Sequence, residues 1–311
     1  MEPVPDSSST PDFPVPPPEG RASRIFLGDD GLRVGWRLLL YAAFWFLISA
    51  ALEILVFQII RLDLDPYSPQ LVGLVDLLDF TSAYVAALLM ARIERRTPGV
   101  YGLPVGQALG KSFWQGFLLG LGEVSLLVGL IAAFGGYSFG TLTVHGTDAL
   151  RWGILWALAF LLVGLSEEFL FRGYAQYTLA QSIGFWPAAI ALSLVFGAAH
   201  LRNHGEGLVG AASVVVTGLV FAFALRRTGN LWLAVGWHAS FDFGETFLFS
   251  VPDSGLVFDH HLSNSALHGA AWLTGGTVGP EGSIFSFVTM GLSVFAIHFL
   301  FPAKKQIAAQ A

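Results

Sequence analysis

The fold class is decided by residues 152–171, which read WGILWALAFLLVGLSEEFLF. A helix of this length can cross a bilayer, since a spanning helix needs about 20 mostly apolar residues. The whole chain shares this character, with 54% hydrophobic and only 12% charged residues, whereas soluble domains carry about 25% charged residues. We therefore predict an all-α fold, a polytopic bundle of membrane helices.

Eight apolar segments form the predicted transmembrane domain, residues 37–301. The segments are 37–60, 71–91, 112–135, 152–171, 185–201, 207–225, 231–249 and 283–301. Residues 1–20 are rich in Pro and Ser and are predicted to be disordered, and residues 302–311 form a short tail. Residues 21–36 mix basic and apolar side chains, which is typical of an interfacial segment, and we expect a short helix there.

Basic residues mark one side of the membrane, because Lys and Arg concentrate in cytoplasmic loops. Thirteen of the 16 fall on alternating connections: Arg21, Arg24, Arg33, Arg37, Arg92, Arg95, Arg96, Lys111, Arg172, Arg226, Arg227, Lys304 and Lys305. Only Arg61, Arg151 and Arg202 fall on the other side. We therefore predict that both termini are cytoplasmic and that residues 250–282 form a partly ordered external loop.

Net charge and cysteine content exclude several function classes. The formal net charge of -6 gives no electrostatic surface for nucleic acid, so no nucleic-acid partner is expected. The chain has no cysteine, which rules out thiol catalysis, disulfides and cysteine-ligated zinc. The remaining chemistry must come from carboxylates, imidazoles and hydroxyls.

Two adjacent glutamates, Glu167 and Glu168, lie near the end of the apolar run of residues 152–171. An ionised side chain at the centre of a bilayer costs roughly 2.5–3.5 kcal/mol on insertion scales, so such groups usually have a function. Glu168 and Arg172 are spaced i, i+4 and can pair on one helix face. Glu167 has no such partner, which favours a catalytic role. The alternative is an ion-pair cluster at a helix end.

Two histidines lie on other apolar segments. His200 ends the fifth segment, and His238 lies one turn before Asp242 in the seventh. Taken singly, each could be a satisfied core histidine or part of a polar network between helices. A glutamate and two histidines on three helices could instead converge on one pocket and activate water, directly or on a metal.

Helix lengths place Glu167 and His200 at different depths if the helices are straight and end at residue 171. At a rise of 1.5 Å per residue, both would lie about 22 Å from opposite surfaces of the bilayer. The offset is removed if the fourth helix continues to about residue 178. We therefore predict a long fourth helix that is amphipathic near its cytoplasmic end.

Together these residues carry a family resemblance. The three motifs are Glu167-Glu168-x-x-x-Arg172, Phe196-x-x-x-His200 and His238-x-x-x-Asp242. In this order they resemble the signature of the CPBP family of intramembrane proteases. That family includes the type II CAAX prenyl endopeptidases, the lysostaphin-resistance proteins and the Abi bacteriocin-immunity proteins. The resemblance covers a protease core at about 152–249, and the first three segments agree only in hydropathy.

The resemblance implies an intramembrane endopeptidase that cleaves peptide bonds near the membrane interface. The implied roles are Glu167 as general base, His200 in binding the water, Glu168 and Arg172 in orienting the site, and His238 with Asp242 in stabilising the oxyanion. Asp242 departs from the family pattern, which often has Asn there, and an ionised Asp cannot donate to an oxyanion. Asp242 must therefore be protonated, orient His238 or help to hold a metal.

The residues are compatible with two mechanisms, one with a metal and one without. A divalent metal such as zinc, held by Glu167, His200 and His238 with one open position, would make the chain a metalloprotease. The donor types favour this reading slightly. The other reading is metal-free, with the water activated directly. No H-E-x-x-H motif is present.

Further acidic residues inside the predicted spans leave two other function classes open. Glu53, Asp76, Asp79 and Glu123 are of this kind, and Asp76 and Asp79 share a helix face that could line a water-filled vestibule. An ion-coupled transporter is one alternative, although no internal repeat supports it. The other is a nonproteolytic immunity or scaffold protein that uses the pocket only for binding.

The resemblance also implies a location and partners. We expect a multi-pass protein of the bacterial inner (plasma) membrane. Its partners would be the lipid bilayer and a membrane-associated protein or peptide substrate that can be lipidated.

Overall fold

The computed structural model describes residues 26–28 and 31–302. The predicted tail at residues 1–20 lies outside the described residues, as does the tail after Pro302. Two short strands, β1 (Leu27–Gly28) and β2 (Gly31–Leu32), form an antiparallel pair before the first long helix. The predicted short helix is therefore wrong for residues 27–28 and 31–32, whereas the interfacial position of residues 21–36 stays a prediction. Gly31 adopts a φ of 105°, which glycine tolerates without strain.

Helices make up most of the described chain. They are α1 (Val34–Glu53), α2 (Pro69–Glu94), α3 (Lys111–Ala133), α4 (Gly146–Leu170), α5 (Gln176–Ile183), α6 (Phe185–His200), α7 (Leu208–Thr228), α8 (Trp232–Phe243), α9 (Ala271–Thr274) and α10 (Ile284–Leu300). Three π-helical segments extend this set: Ile54–Ile59 after α1, Phe171–Ala175 between α4 and α5, and Gly244–Leu248 after α8. The predicted all-α membrane architecture is confirmed at this level.

Among the described residues, five helical segments are long and apolar enough to cross a membrane. They are Val34–Ile59, Pro69–Glu94, Lys111–Ala133, Gly146–Ile183 and Leu208–Thr228. Phe185–His200 and Ile284–Leu300 are apolar but shorter. The predicted count of eight spans and the cytoplasmic termini therefore stay predictions.

The fourth apolar segment continues well past residue 171, as the depths of Glu167 and His200 required. It runs from Gly146 to Ile183 as one helical segment of 38 residues. The π-helical turn within it contains Gly173, whose ψ of -115° is not helical and kinks the axis. Such insertions often mark functional sites, and this one carries Arg172, four residues after Glu168.

Glycines allow two central helices to approach each other closely. Helix α3 packs along α8 more extensively than any other pair. A Cβ atom on Gly120 would lie 2.2 Å from the carbonyl oxygen of Trp237, and one on Gly116 would lie 2.0 Å from that of Leu233. Small residues at such crossings are what membrane helices use, because lipid supplies little hydrophobic drive for association. This contact holds α8, and with it His238, in place.

Replacing Gly120 with Ala should therefore loosen the bundle. The added Cβ must displace the α8 backbone, and overpacking of this kind costs about 1–3 kcal/mol. Thermal unfolding of the protein in detergent should show a lower midpoint. Gly122→Ala on the same helix is the matched control, because its Cβ would meet nothing within 4 Å and Ala is the better helix former. Equal midpoints for the two variants would contradict this packing.

The segment 250–282 is partly ordered, as predicted. Strand β4 (Ala266–Leu267) pairs antiparallel with β3 (Tyr137–Ser138), and the short helix α9 follows. A single turn of 3-10 helix, Pro280–Gly282, leads into α10. The segment thus folds back over the end of α8 and closes one side of the cavity described below.

Candidate active site

The three sequence motifs meet at one cavity of about 410 Å³. Its polar lining includes Glu167 from α4, His200 from α6, and His238 and Asp242 from α8. Their convergence follows from the extended fourth helix and from the close packing of α8 on its neighbours. Pockets of this size are typical of small-molecule or peptide side-chain sites.

Glu168 joins two of the motifs. Its Oε1 accepts hydrogen bonds from Arg172 Nη1 and from His238 Nδ1, both at 3.1 Å. The Glu168 side chain is fully buried. The i, i+4 spacing predicted the contact with Arg172. It could not predict the contact with His238, which depends on how α8 packs against α4.

The second ring nitrogen of His238 also faces carboxylates. Nε2 lies 3.4 Å from Asp242 Oδ2 and 3.6 Å from Glu167 Oε2. These separations are longer than ordinary hydrogen bonds, so they are close electrostatic contacts. Since a carboxylate only accepts, Nδ1 must carry a proton toward Glu168. Asp242 therefore lies where it can orient His238.

His200 has one nitrogen tied to its own helix. Nδ1 lies 3.0 Å from the Phe196 carbonyl oxygen, which can only accept, so Nδ1 is the donor. In the neutral ring Nε2 then carries a lone pair. The ring packs edge-on against Phe196 at 4.6 Å between centroids. No hydrogen bond joins His200 to Glu167 or His238 within the described residues; the three share the cavity.

The Arg172 guanidinium packs beside Glu168 and Phe196. Its Cζ is 4.2 Å from the Phe196 ring centroid, and a Cβ atom on Gly218 would lie 2.6 Å from Nη2. Only 3% of Arg172 is exposed. Arg172 thus links motifs one and two through Glu168 and Phe196, and it lies outside the lining of the cavity.

Two of the other intramembrane acids also reach the cavity. Asp76 and Glu123 belong to its lining, and Glu123 Oε2 accepts from Trp237 Nε1 at 2.8 Å. Asp79 does not line the cavity, and its carboxylate accepts from Ser49 Oγ at 3.0 Å. The vestibule suggested by the spacing of Asp76 and Asp79 therefore involves the first of them.

The donor set proposed for a metal is only partly assembled. Glu167, His200 and His238 share the cavity, and His238 Nδ1 donates to Glu168 as a metal-binding imidazole often does to a carboxylate. Within the described residues, however, the three side chains whose ligand atoms all lie within 4.8 Å of one another are Glu245, Asp253 and Glu281. This acidic cluster was missed in the sequence, because two of its members lie in the loop 250–282.

A sequence pattern typical of a nucleophilic serine occurs outside the membrane helices. Residues 136–140 read Gly-Tyr-Ser-Phe-Gly, the G-x-S-x-G spacing of serine hydrolases. Ser138 Oγ lies 2.8 Å from His268 Nε2. The required strand-turn-helix context is missing, since Ser138 lies on the two-residue strand β3. The described residues also show no carboxylate bonded to His268. We interpret this pair as an exposed cross-strand contact.

Comparisons with known proteins agree with the motif reading. Residues 149–244 match the family model described as type II CAAX prenyl endopeptidase Rce1-like. No match was found among the curated proteins. The matched segment runs from α4 through α8 and contains all seven residues that define the three motifs. The resemblance to the CPBP family is therefore confirmed in residues 149–244, the segment that matches this family model.

Proposed function

We propose that the protein is an intramembrane endopeptidase of the CAAX type, which hydrolyses peptide bonds near the membrane interface with a water activated by Glu167 and His200. One observation carries the proposal. Two proton acceptors, the Glu167 carboxylate and the His200 Nε2 lone pair, face one cavity within the segment that matches the family.

Two acceptors on one water give it the orientation that attack requires. A water that donates one hydrogen to Glu167 and the other to His200 keeps its lone pairs free for a carbonyl carbon. As the new C–O bond forms, Glu167 takes a proton from the water. The carboxylic acid then gives that proton to the departing amine nitrogen, so that the carboxylate is regenerated.

His238 stabilises the negative charge of the tetrahedral intermediate. Its Nδ1–H donates to Glu168, and its Nε2 faces the cavity between Glu167 and Asp242. When Nε2 carries a proton it can donate to the oxyanion of the tetrahedral intermediate. Asp242 then holds the ring rather than donating itself. This arrangement provides the oxyanion role although Asn is absent at that position.

The walls of the cavity suit a substrate that is embedded in the membrane. Aromatic side chains line it, among them Phe160, Phe171, Phe196, Phe221 and Phe258. An apolar peptide side chain or a lipid chain could pack on these rings, and the carboxylates would contact the peptide backbone. A prenylated C-terminal peptide and its unmodified counterpart therefore form the natural pair of test substrates.

Cleavage should not depend on zinc if the water is activated directly. The ligand atoms of Glu167, His200 and His238 are not brought together as closely as those of the acidic cluster of Glu245, Asp253 and Glu281. This difference supports the metal-free mechanism. We expect 1,10-phenanthroline, a zinc chelator, to leave the cleavage rate of the purified protein unchanged. If the chelator abolishes cleavage and zinc restores it, the three residues hold a metal whose bound water is the nucleophile.

The experiment for the function itself uses the full chain in liposomes with both peptides. Cleavage by the wild type, detected by mass spectrometry of the two products, would support the proposal. A wild-type protein that is folded but cleaves neither peptide, together with a cellular phenotype that survives Glu167→Ala, would favour a binding or immunity role instead.

A further inference from the structure

A second group of carboxylates lies beside the cavity and takes no part in the proposed reaction. Glu245 belongs to the π-helical extension of α8, Asp253 follows it, and Glu281 lies in the turn before α10. One oxygen from each lies within 4.8 Å of the others. Two oxygens on opposite sides of a calcium ion are also about 4.8 Å apart, since Ca–O distances are about 2.3–2.6 Å.

Glu245 is the observation that points to a ligand. Its side chain is fully buried, with 0% exposed, and neither carboxylate oxygen has a hydrogen-bond partner within the described residues. A buried carboxylate without partners is strongly unfavourable unless it is neutralised. The ligand atom of Glu245 faces the other two carboxylates, so it must be neutralised by a proton or by a cation that all three share.

Nearby hydrogen bonds orient the other two carboxylates. Thr246 Oγ1 donates to Asp253 Oδ2 at 3.0 Å. The backbone N–H and hydroxyl of Ser254 both donate to Glu281 Oε2 at 2.7 Å. These bonds use one oxygen of each carboxylate and fix the direction of the group.

The charges that face the cluster are almost all negative. Burial and the neighbouring Asp242 and Glu281 raise the pKa of Asp253 well above its ordinary value, and only His238 acts against them besides Thr246. The negative charges of Asp242 and Glu123 also act on Glu245, and the segment 250–282 contains no Lys or Arg. Such an environment attracts a cation, because this segment offers no lysine or arginine that could neutralise the carboxylates.

We propose that Glu245, Asp253 and Glu281 bind a hard divalent cation, for which calcium is the best probe, and that this cation ties the segment 250–282 to the end of α8. All-oxygen carboxylate sites suit calcium, which accepts flexible geometry. Asp253 and Glu281 also line the cavity beside Asp242, so the bound ion would shape one wall. The proposal does not depend on the proteolytic function.

Calcium binding can be measured on the full chain in detergent after treatment with EGTA. We expect calcium to bind with a Kd on the order of 10⁻⁴–10⁻³ M, the range of external calcium modules, and to raise the unfolding midpoint by a few degrees. Glu245→Gln and Asp253→Asn should each weaken binding tenfold or more. Asp259→Asn is the matched control in the same segment, since Asp259 is exposed and should bind calcium as the wild type does.

The sign of the stability change separates this site from a merely structural one. Without calcium, Glu245→Gln should be at least as stable as the wild type, because a repelling charge is gone, yet calcium should no longer stabilise it. An unchanged wild-type midpoint with calcium, magnesium and manganese would overturn the proposal. Stabilisation by acidification alone would also overturn the proposal, because it would mean that a proton neutralises Glu245. A rise in the midpoint with calcium that survives in Glu245→Gln would overturn it as well.

Discussion

Glu167→Gln should slow cleavage of a membrane peptide by about 10²–10⁴-fold, the usual contribution of a general base. Gln keeps the size of the side chain and can still accept a hydrogen bond from water, but it cannot take the proton. The loss should therefore appear in kcat, with little change in KM. Initial rates in liposomes across a range of peptide concentrations measure both.

Two variants control for this result. Glu53→Gln makes the same chemical change on α1, at an exposed residue that does not line the cavity. Ser138→Ala removes the rival Ser-His pair on β3. Both should cleave at the wild-type rate with unchanged unfolding midpoints. If Ser138→Ala is inactive and Glu167→Gln is active, Ser138 rather than Glu167 is the catalytic residue, and the assignment of the active site to the cavity is contradicted.

Arg172→Ala should cost about 3–5 kcal/mol of stability, because it leaves a buried carboxylate without its main partner. The Arg172 and Glu168 side chains are 1% and 0% exposed, so water cannot replace the lost contact. The guanidinium also packs on Phe196, and that contact disappears as well. Unfolding by heat or denaturant in detergent should show the loss, and cleavage should fall with it.

An exposed arginine provides the comparison. Arg96 lies 3.3 Å from Glu94, but 39% of its side chain is exposed, and Glu94 keeps a second partner in Arg37. Exposed pairs contribute about 0–1 kcal/mol, so Arg96→Ala should change the midpoint little. Restoring neutrality with Glu168→Gln in the Arg172→Ala background should recover part of the stability. Equal losses for Arg172→Ala and Arg96→Ala would contradict the buried network.

Local spacing was enough to predict several features of the fold and the site. The pairing of Glu168 with Arg172 and the proximity of His238 to Asp242 both follow from i, i+4 positions on a helix. The long fourth helix followed from the depth of Glu167 in the bilayer. Hydropathy located each long helix, because in a membrane every spanning segment must satisfy its own backbone hydrogen bonds.

Contacts between helices could not be predicted in the same way. The hydrogen bond between His238 and Glu168 depends on the approach of α8 to its neighbours, which small residues such as Gly120 permit. The acidic cluster depends on residues 250–282 folding back onto α8, so that Asp253 and Glu281 meet Glu245. Nothing in the spacing of these three residues indicates that they are neighbours.

The most direct measurement compares cleavage by the wild type, by Glu167→Ala, by His200→Ala and by the double variant, each shown to be folded by its unfolding midpoint. Both side chains act on one water in this mechanism, so their effects should not multiply. We predict that both single variants lose most activity and that the double variant is no more than a few-fold slower than either. A double variant that cleaves at the wild-type rate would contradict the mechanism, and so would losses that simply multiply.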